Sequence, residues 1–230
     1  MSLEGKFSEI KTEILNSSEN YDSSDEIKAS IFKSKSLSEL MTVIKDNFVH
    51  VVWDKLITPE LIIKYRTEFA SGQIFCNEDI CAGYLLCVDS TVKVNGNAFV
   101  IAKRESVVRA YGRCRIIAQD QTHVYAHEYT QVEAYGRTRV FAFGFSKVKA
   151  TGTSAIKAYD NSIFTVCGSA VVWVTGECSV TASGESYVTS FEEVKCSLSE
   201  NAIYRIKSLD RNEIRYASSE ILIKQITPME

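Results

Sequence analysis

The sequence predicts a mainly β protein, a parallel β-solenoid of eight-residue strand-turn units with an α-helical cap at its N-terminus. From Ser90 to Glu193 the chain divides into thirteen consecutive blocks of eight residues, such as SVVRAYGR and TRVFAFGF. The first place of a block is Ser, Thr, Cys or Ala, and the third is Val or Ile with one Phe. The fifth is mostly Ala, and the seventh is Gly, Asp or Glu with one Arg.

These places have a simple structural meaning. Alternate residues of a strand share one side, so places one, three and five form a narrow buried stripe and the even places point outward. Gly or Asp at place seven suits the positive φ of a tight corner. A short period with one buried stripe per unit is typical of a solenoid, in which each coil buries its face only by stacking on its neighbours.

The number of blocks in one coil stays open between two, which would give a flattened coil, and three, which would give a triangular one. An interior of Ser, Val and Ala is too small to fill a triangular lumen at normal packing density, which favours two. Sequence identity favours three, because the run YGRCR at 111–115 recurs three blocks later as YGRTR at 135–139. We give the volume argument more weight and predict two.

Four segments are predicted along the chain. They are a flexible or helical N-terminal segment with a polar link at 16–24 (1–35), a helical cap (36–72), the β-solenoid (73–209) and C-terminal cap strands (210–230).

The helical cap has clear start signals. Ser36 with Glu39 fits a capping box, and Pro59 after Thr58 fits the first turn of a second helix within 36–69. A helical pair can bind a partner or can hide the open sheet edge of the first coil. Solenoids require such capping for solubility, so we favour the cap.

Composition limits the cellular setting. No apolar run approaches the roughly 18 residues of a membrane span, and the charged N-terminus lacks a signal-peptide core. The seven cysteines form no close pairs, and Cys114 and Cys178 occupy the small inward place of the repeat. They are interpreted as buried small residues in a reducing compartment, so we expect a cytoplasmic protein without a membrane segment.

Aromatic side chains are the main functional signal. With two blocks per coil, alternate blocks share a face, and one face collects aromatic residues while the other holds mostly Gln, Glu, Lys, Thr and Ser. Exposed aromatics with Arg anchor protein interfaces. We predict a non-enzymatic protein-interaction or self-assembly module that binds a protein partner or a second copy through Tyr111, Tyr125, Phe141, Phe143, Tyr159 and Trp173.

Charge distribution supports an alternative. The net charge is −6 over residues 1–89, +6 over 90–161 and −3 over 162–230. Basic residues interleaved with aromatics are typical of surfaces that follow nucleic acid or another anionic polymer. The residues for this hypothesis are Arg113, Arg115, Arg137, Arg139, Lys147 and Lys149. The chain as a whole carries −3, unlike typical nucleic-acid binders, so this hypothesis ranks second.

Catalysis, metals and cofactors are not expected. His123 and His127 occupy places two and six of one block, about 13 Å apart along a strand, too far to bind one metal ion. A β-helix carbohydrate-active enzyme would need a carboxylate cluster across coils, but no block breaks its pattern to insert one. We therefore predict no catalytic residue, no metal site and no cofactor, and rank an enzyme third.

The repeat also resembles a known class. The frame Ser-x-Val-x-Ala-x-Gly-x, with AYGR at 110–113 and 134–137 and AYDN at 158–161, resembles the octapeptide-repeat proteins of bacteria and phages. The resemblance covers roughly residues 84–193. It implies a β-solenoid of bacterial or phage origin and carries no catalytic residues across.

Overall fold

The computed structural model describes residues 3–18, 25–207, 212–216 and 223–224. The helices of these residues are α1 (Leu3–Ser18), α2 (Asp25–Lys33), α3 (Leu37–Asp46), α4 (Phe48–Trp53), α5 (Pro59–Lys64) and α6 (Arg66–Ser71). The strands are β1 (Ile74–Cys76), β2 (Tyr84–Val88), β3 (Thr91–Val94), β4 (Phe99–Lys103), β5 (Val107–Ala110), β6 (Arg115–Ala118), β7 (His123–Ala126), β8 (Gln131–Ala134), β9 (Arg139–Ala142), β10 (Lys147–Ala150), β11 (Ala155–Ala158), β12 (Ile163–Val166), β13 (Val171–Val174), β14 (Ser179–Ala182), β15 (Tyr187–Ser190), β16 (Lys195–Leu198), β17 (Ile203–Lys207), β18 (Asn212–Tyr216) and β19 (Ile223–Lys224).

The predicted parallel β-solenoid is confirmed. Sheet A runs in the order β1-β2-β4-β6-β8-β10-β12-β14-β16, and sheet B in the order β3-β5-β7-β9-β11-β13-β15-β17-β18-β19. Within the repeat each strand pairs with the second strand after it, so Val108 lies beside Val124 and Val124 beside Val140. Equal places of alternate blocks therefore stack on each other. The prediction of two blocks per coil is confirmed, and the alternative of three is wrong.

The interior is made of the three predicted inward places. In the block that contains β8, Thr130, Val132 and Ala134 are all buried. The buried hydroxyls at place one are satisfied locally: the Ser146 hydroxyl donates to the Phe143 carbonyl at 2.6 Å, as Thr122 does to Gln119 at 2.6 Å. Because these hydroxyls bond to the corner before them, their hydrogen bonds compensate for the loss of water when a small polar residue is buried there.

The geometry of the corners explains why the seventh place of a block holds Gly or an acidic residue. Gly184 has φ +69°, and a Cβ added to it would lie 2.8 Å from the backbone nitrogen of Gly168 in the previous coil. Acidic residues at the seventh place can adopt the same backbone conformation and add a side-chain hydrogen bond. Asp160 also has a positive φ of 59°, and its carboxylate accepts the Gly144 N–H at 2.9 Å. Acidic corner residues thus link successive coils by hydrogen bonds.

The helical segment follows the predicted caps but is more divided than expected. The Ser36 hydroxyl accepts the Glu39 N–H at 3.2 Å, and the Thr58 hydroxyl accepts the Leu61 N–H at 3.3 Å. The stretch 36–69 breaks at Asn47 and Tyr65, whose ψ angles of 23° and 40° are not helical. Each break turns the chain so that apolar residues on both sides reach one core.

The N-terminal region contains one helix that we did not predict, α2, which buries Ile27 and Ile31 against the other helices. The predicted polar link at 16–24 begins inside α1 up to residue 18, and residues 19–24 lie outside the described residues.

The helices cap the solenoid over a wider area than the first sheet edge. Helices α5 and α6 contact the edge strand β1. The helical core also covers the outward side of sheet A, where Leu86, Ile101 and Ile117 are buried in it. Ile101 and Ile117 point outward from the solenoid as predicted for even places, but the helices pack on them and remove them from solvent. At the other end, β18 and β19 extend sheet B in antiparallel pairing.

The narrow interior predicts a strong size limit at place five. We expect Ala134→Leu to lower the free energy of unfolding by roughly 1–3 kcal/mol, because the added methylenes overpack a filled interior. Urea denaturation measures this. The matched control is Gln131→Leu, exposed on the same strand, with an expected change of about 0.5 kcal/mol or less. Equal losses in the two variants would contradict the narrow-interior explanation.

Candidate protein-binding surface

The outward side of sheet B carries a stack of four parallel rings, which we call the ring ladder: Tyr111, His127, Phe143 and Tyr159. Neighbouring ring centroids lie 4.6, 4.7 and 4.8 Å apart, and the ring planes agree within 6°. This spacing matches the separation of neighbouring strands in a sheet, about 4.8 Å. The ladder is thus a direct product of the two-block coil, since its members occupy the same place in alternate blocks.

A shorter stack lies beside the ring ladder. The rings of Tyr125 and Phe141 are 4.8 Å apart, and each end of the pair carries a cation. The Arg109 guanidinium carbon lies 5.6 Å from the Tyr125 centroid, and Lys157 Nζ lies 5.8 Å from that of Phe141. Trp173 is paired with Lys157 in register on the next strand and stands 44% exposed. Such cation–π contacts stabilise exposed sites by about 0.5–1 kcal/mol.

Two rings at a corner extend the surface, and our sequence analysis missed them. Tyr129 and Phe145 stack at 5.5 Å, yet they stay 55% and 53% exposed. The Arg113 guanidinium carbon lies 5.9 Å from the Tyr129 ring. Both aromatic residues occupy place eight, an outward place beyond the strands. The available signal was that they stand exactly two blocks apart in the sequence.

We call the ring ladder, the Tyr125–Phe141 pair and the corner rings together the aromatic surface. The faces of His127 and Phe143 are covered on both sides by neighbouring rings, and those of Tyr125 and Phe141 by each other and by a cation. These covered rings turn mainly their edges toward solvent. The edge of an aromatic ring is the positive part of its quadrupole. The aromatic surface is therefore apolar with a positive electrostatic character, which its flanking Lys and Arg residues reinforce.

The six aromatic residues proposed from the sequence all lie on sheet B or its adjoining corner, and five of them belong to the two stacks. The six basic residues do not lie together. Arg115, Lys147 and Lys149 lie on strands of sheet A, whereas Arg139 lies on sheet B. Arg115 is already engaged, since it pairs with Glu133 at 3.0 Å and lies over the Phe99 ring.

One shallow groove does gather two of the predicted basic residues. It has a volume of about 490 Å³ and is lined by Glu105, Val107, Gln121, His123, Arg137 and Arg139. His123 and Arg139 are paired in register on neighbouring strands. Both arginines are exposed, and no ion pair connects either of them to another residue of the described ranges.

Other site classes find little support within the part of the chain that the structure describes. There, no three His, Cys, Asp or Glu side chains come together as metal ligands, and no helix is long and apolar enough for a membrane span. The seven cysteines are free. Burial raises the pKa of the Cys87 and Cys178 thiols to about 11.

Fold and surface define a parallel β-solenoid with a helical cap and one aromatic side. Comparison of the chain with protein-family models, with curated proteins and with solved structures finds no match. The resemblance to octapeptide-repeat proteins therefore stays a prediction.

We predict that His127 makes the stability of the ring ladder depend on pH. Burial lowers the pKa of its imidazole below the ordinary value, although the Glu128 carboxylate opposes the shift. A histidine whose pKa is lower in the folded state contributes stability above about pH 6.5, and this is lost as the pH falls through the folded pKa. We expect the free energy of unfolding to fall less from pH 7.5 to pH 5.5 in His127→Phe, which keeps a ring in the ladder, than in the wild type.

Urea denaturation at both pH values measures this difference. The comparison variant is His123→Phe, which removes a histidine of the same block outside the ladder, so an effect specific to the ladder is one that this variant does not share. An unchanged pH dependence in His127→Phe would show that the ladder does not sense protonation.

Proposed function

We propose that the chain is a non-enzymatic protein-interaction module that binds a partner protein through the aromatic surface. The observation that carries the proposal is the exposure of Tyr129 and Phe145 beside two ordered stacks on one side of a rigid solenoid. Clustered, exposed aromatics with nearby Arg are typical binding hot spots. The free cysteines support the cytoplasmic location that we propose for it.

The geometry of the stacks favours a protein partner over a single-stranded nucleic acid. Proteins that bind single strands stack bases on open aromatic faces. Here the faces within the ring ladder are only 4.6–4.8 Å from the next ring, so a base has no room between them. Ring edges with flanking Arg109 and Arg113 suit an apolar partner surface that carries acidic groups at its rim.

The positions of the acidic corner residues support a non-enzymatic role. Asp120 accepts the Arg104 N–H at 2.9 Å, and Glu200 accepts the Gly184 N–H at 2.6 Å in the same way as Asp160. Their hydrogen bonds join successive coils. A general acid or base would instead need a carboxyl group that is free to reach a substrate.

Photo-crosslinking at the corner tests the proposal. p-Benzoylphenylalanine replaces Phe145, which keeps an aromatic ring at an exposed position, and the protein is irradiated alone and in an extract of the source cells. We expect one discrete adduct at near-stoichiometric yield in the extract. Adding Tyr129→Ser should remove most of it, because hot-spot aromatics commonly contribute about 2 kcal/mol or more to binding.

The control carries the same photoreactive group at Phe32, which is 69% exposed on α2 and lies outside the aromatic surface. It should give no such adduct. An adduct of two copies in the purified protein would make the partner a second copy. If position 145 forms no adduct in either setting, or only adducts that position 32 also forms, the proposal is wrong.

A second candidate function is binding of an anionic polymer, including nucleic acid, along the groove of Arg137 and Arg139. The observation in its favour is the pair of exposed arginines beside His123, without an acidic partner among the described residues. Phosphate oxygens are well suited to bind such guanidinium groups. The proposal concerns contacts to the polymer backbone, which the two guanidinium groups would make.

Charge reversal separates this candidate from the first. Under the second candidate we expect Arg137→Glu with Arg139→Glu to abolish binding of a fluorescent oligothymidylate, measured by anisotropy. The salt dependence of log K should weaken by about 0.7 for each lost phosphate contact. The matched control is Lys147→Glu with Lys149→Glu on sheet A, which should bind as the wild type does. Absence of wild-type binding, or equal losses in both variants, would exclude the groove.

A further inference from the structure

A cleft lies where the helical cap meets the solenoid, away from the aromatic surface. It has a volume of about 520 Å³, within the range of ordinary small-molecule sites. The loop between α4 and α5 forms one wall, and β2 and β4 of sheet A form the other. Its floor is apolar, because Val52, Ile57 and Leu86 line it and are each at most 3% exposed.

A half-buried lysine lies at the side of this floor. The Lys103 ammonium, at the end of β4, donates to the Val52 carbonyl at 3.4 Å. A single long hydrogen bond is little for a group with three donors. Burial lowers the pKa of this ammonium, the Asp120 carboxylate compensates only in part, and the nearby Lys55 lowers it further. Among the described residues, the Lys103 ammonium therefore has one long hydrogen bond, to a backbone carbonyl at the side of the cleft.

The carboxylates at the rim are engaged elsewhere. Asp89 pairs with the Arg104 guanidinium at 3.0 Å, and Asp120 accepts the Arg104 N–H. Glu60 accepts hydrogen bonds from its own backbone and from Thr58. The three carboxylates at the rim thus form their hydrogen bonds with other groups of the rim, whereas the Lys103 ammonium donates to a backbone carbonyl.

Strand β2, which precedes the eight-residue repeat, pairs with β4 in a shifted register beside this cleft. Tyr84 of β2 pairs with Phe99 of β4, one position short of two full blocks, whereas Phe99 pairs with Arg115 two full blocks further on. Arg104 is the one basic residue at place seven, where it adopts the positive φ of +58° that acidic corner residues such as Asp160 also adopt. A departure from a repeat pattern in residue type is expected at a functional or strained site.

We infer that this cleft binds a small ligand with an apolar, ring-sized body and one anionic group, a carboxylate, sulfonate or phosphate. The body lies on Val52, Ile57 and Leu86, and the anionic group pairs with the Lys103 ammonium. The pairing gives the lysine a hydrogen-bonded anionic partner in place of one long bond to a carbonyl. This site is separate from the aromatic surface, so it holds or fails independently of the proposed interaction function.

Two fluorescent probes of the same shape test the inference. 1-Anilinonaphthalene-8-sulfonate carries the anionic group, and N-phenyl-1-naphthylamine lacks it. In Lys103→Met, which keeps an apolar chain of similar length, we expect the sulfonate to bind about tenfold more weakly, because a charge-assisted bond is lost. The neutral probe should bind as it does to the wild type. The control is Lys149→Met, an exposed lysine on the same sheet.

A second measurement uses the wild-type chain and does not depend on the variant folding. The protein is acetylated with limiting N-hydroxysuccinimidyl acetate, with and without saturating sulfonate probe, and each lysine is quantified by peptide mass spectrometry. We expect the probe to protect Lys103 at least severalfold and to leave Lys149 unprotected. Unchanged sulfonate affinity in Lys103→Met, equal loss of both probes, or no protection of Lys103 would overturn the inference.

Discussion

The constraint on which the structure depends is the parallel pairing of each residue with the residue two blocks further along the chain. Under this pairing every place of the block forms a column, so one choice of residue is repeated against itself. Small inward residues let the two sheets close on each other without a lumen. Hydroxyls at place one, corner residues with positive φ and the stacked rings all follow from the same column arrangement.

The column arrangement also explains why aromatic residues on one side stabilise the solenoid. A ring at place four or six meets a ring of the next coil at strand spacing, and each such pair stabilises by about 0.5–1.5 kcal/mol beyond the area that it buries. A cation at the end of a column, such as Arg109 over Tyr125, closes the stack. Opposite faces of one coil can therefore carry different chemistry, although both are built from one repeat.

Much of the fold could be predicted from the sequence because it depends on local periodicity. Each block encodes its strand, its corner and its inward stripe. The small volume of the inward residues correctly predicted two blocks per coil. The sequence identity between residues 111–115 and 135–139 favoured three blocks per coil, which is wrong, because residue identity does not determine which blocks stack on each other. Helix α2 carried a signal that was overlooked, two isoleucines four positions apart behind Asp25 and Glu26.

Features that depend on packing between distant segments were harder to predict. Ile101 and Ile117 have the positions of outward residues, and only the placement of the helices buries them. The predicted basic residues are divided between the two sheets, because block parity, and not closeness in sequence, decides which face a residue occupies.

The structural and functional interpretations of the aromatic surface support each other. A ring held between two neighbours has lost its rotamer freedom on folding, so a partner that docks on its edge does not have to order it again. The solenoid backbone adds rigidity, since hydrogen bonds run between successive coils along its length. Stability concentrates in the covered rings such as Phe143, whereas Tyr129 and Phe145 leave about half of their surface free for contact. Under the proposed function, folding would prepare the surface in advance, and binding energy would come from the two rings that folding covers least.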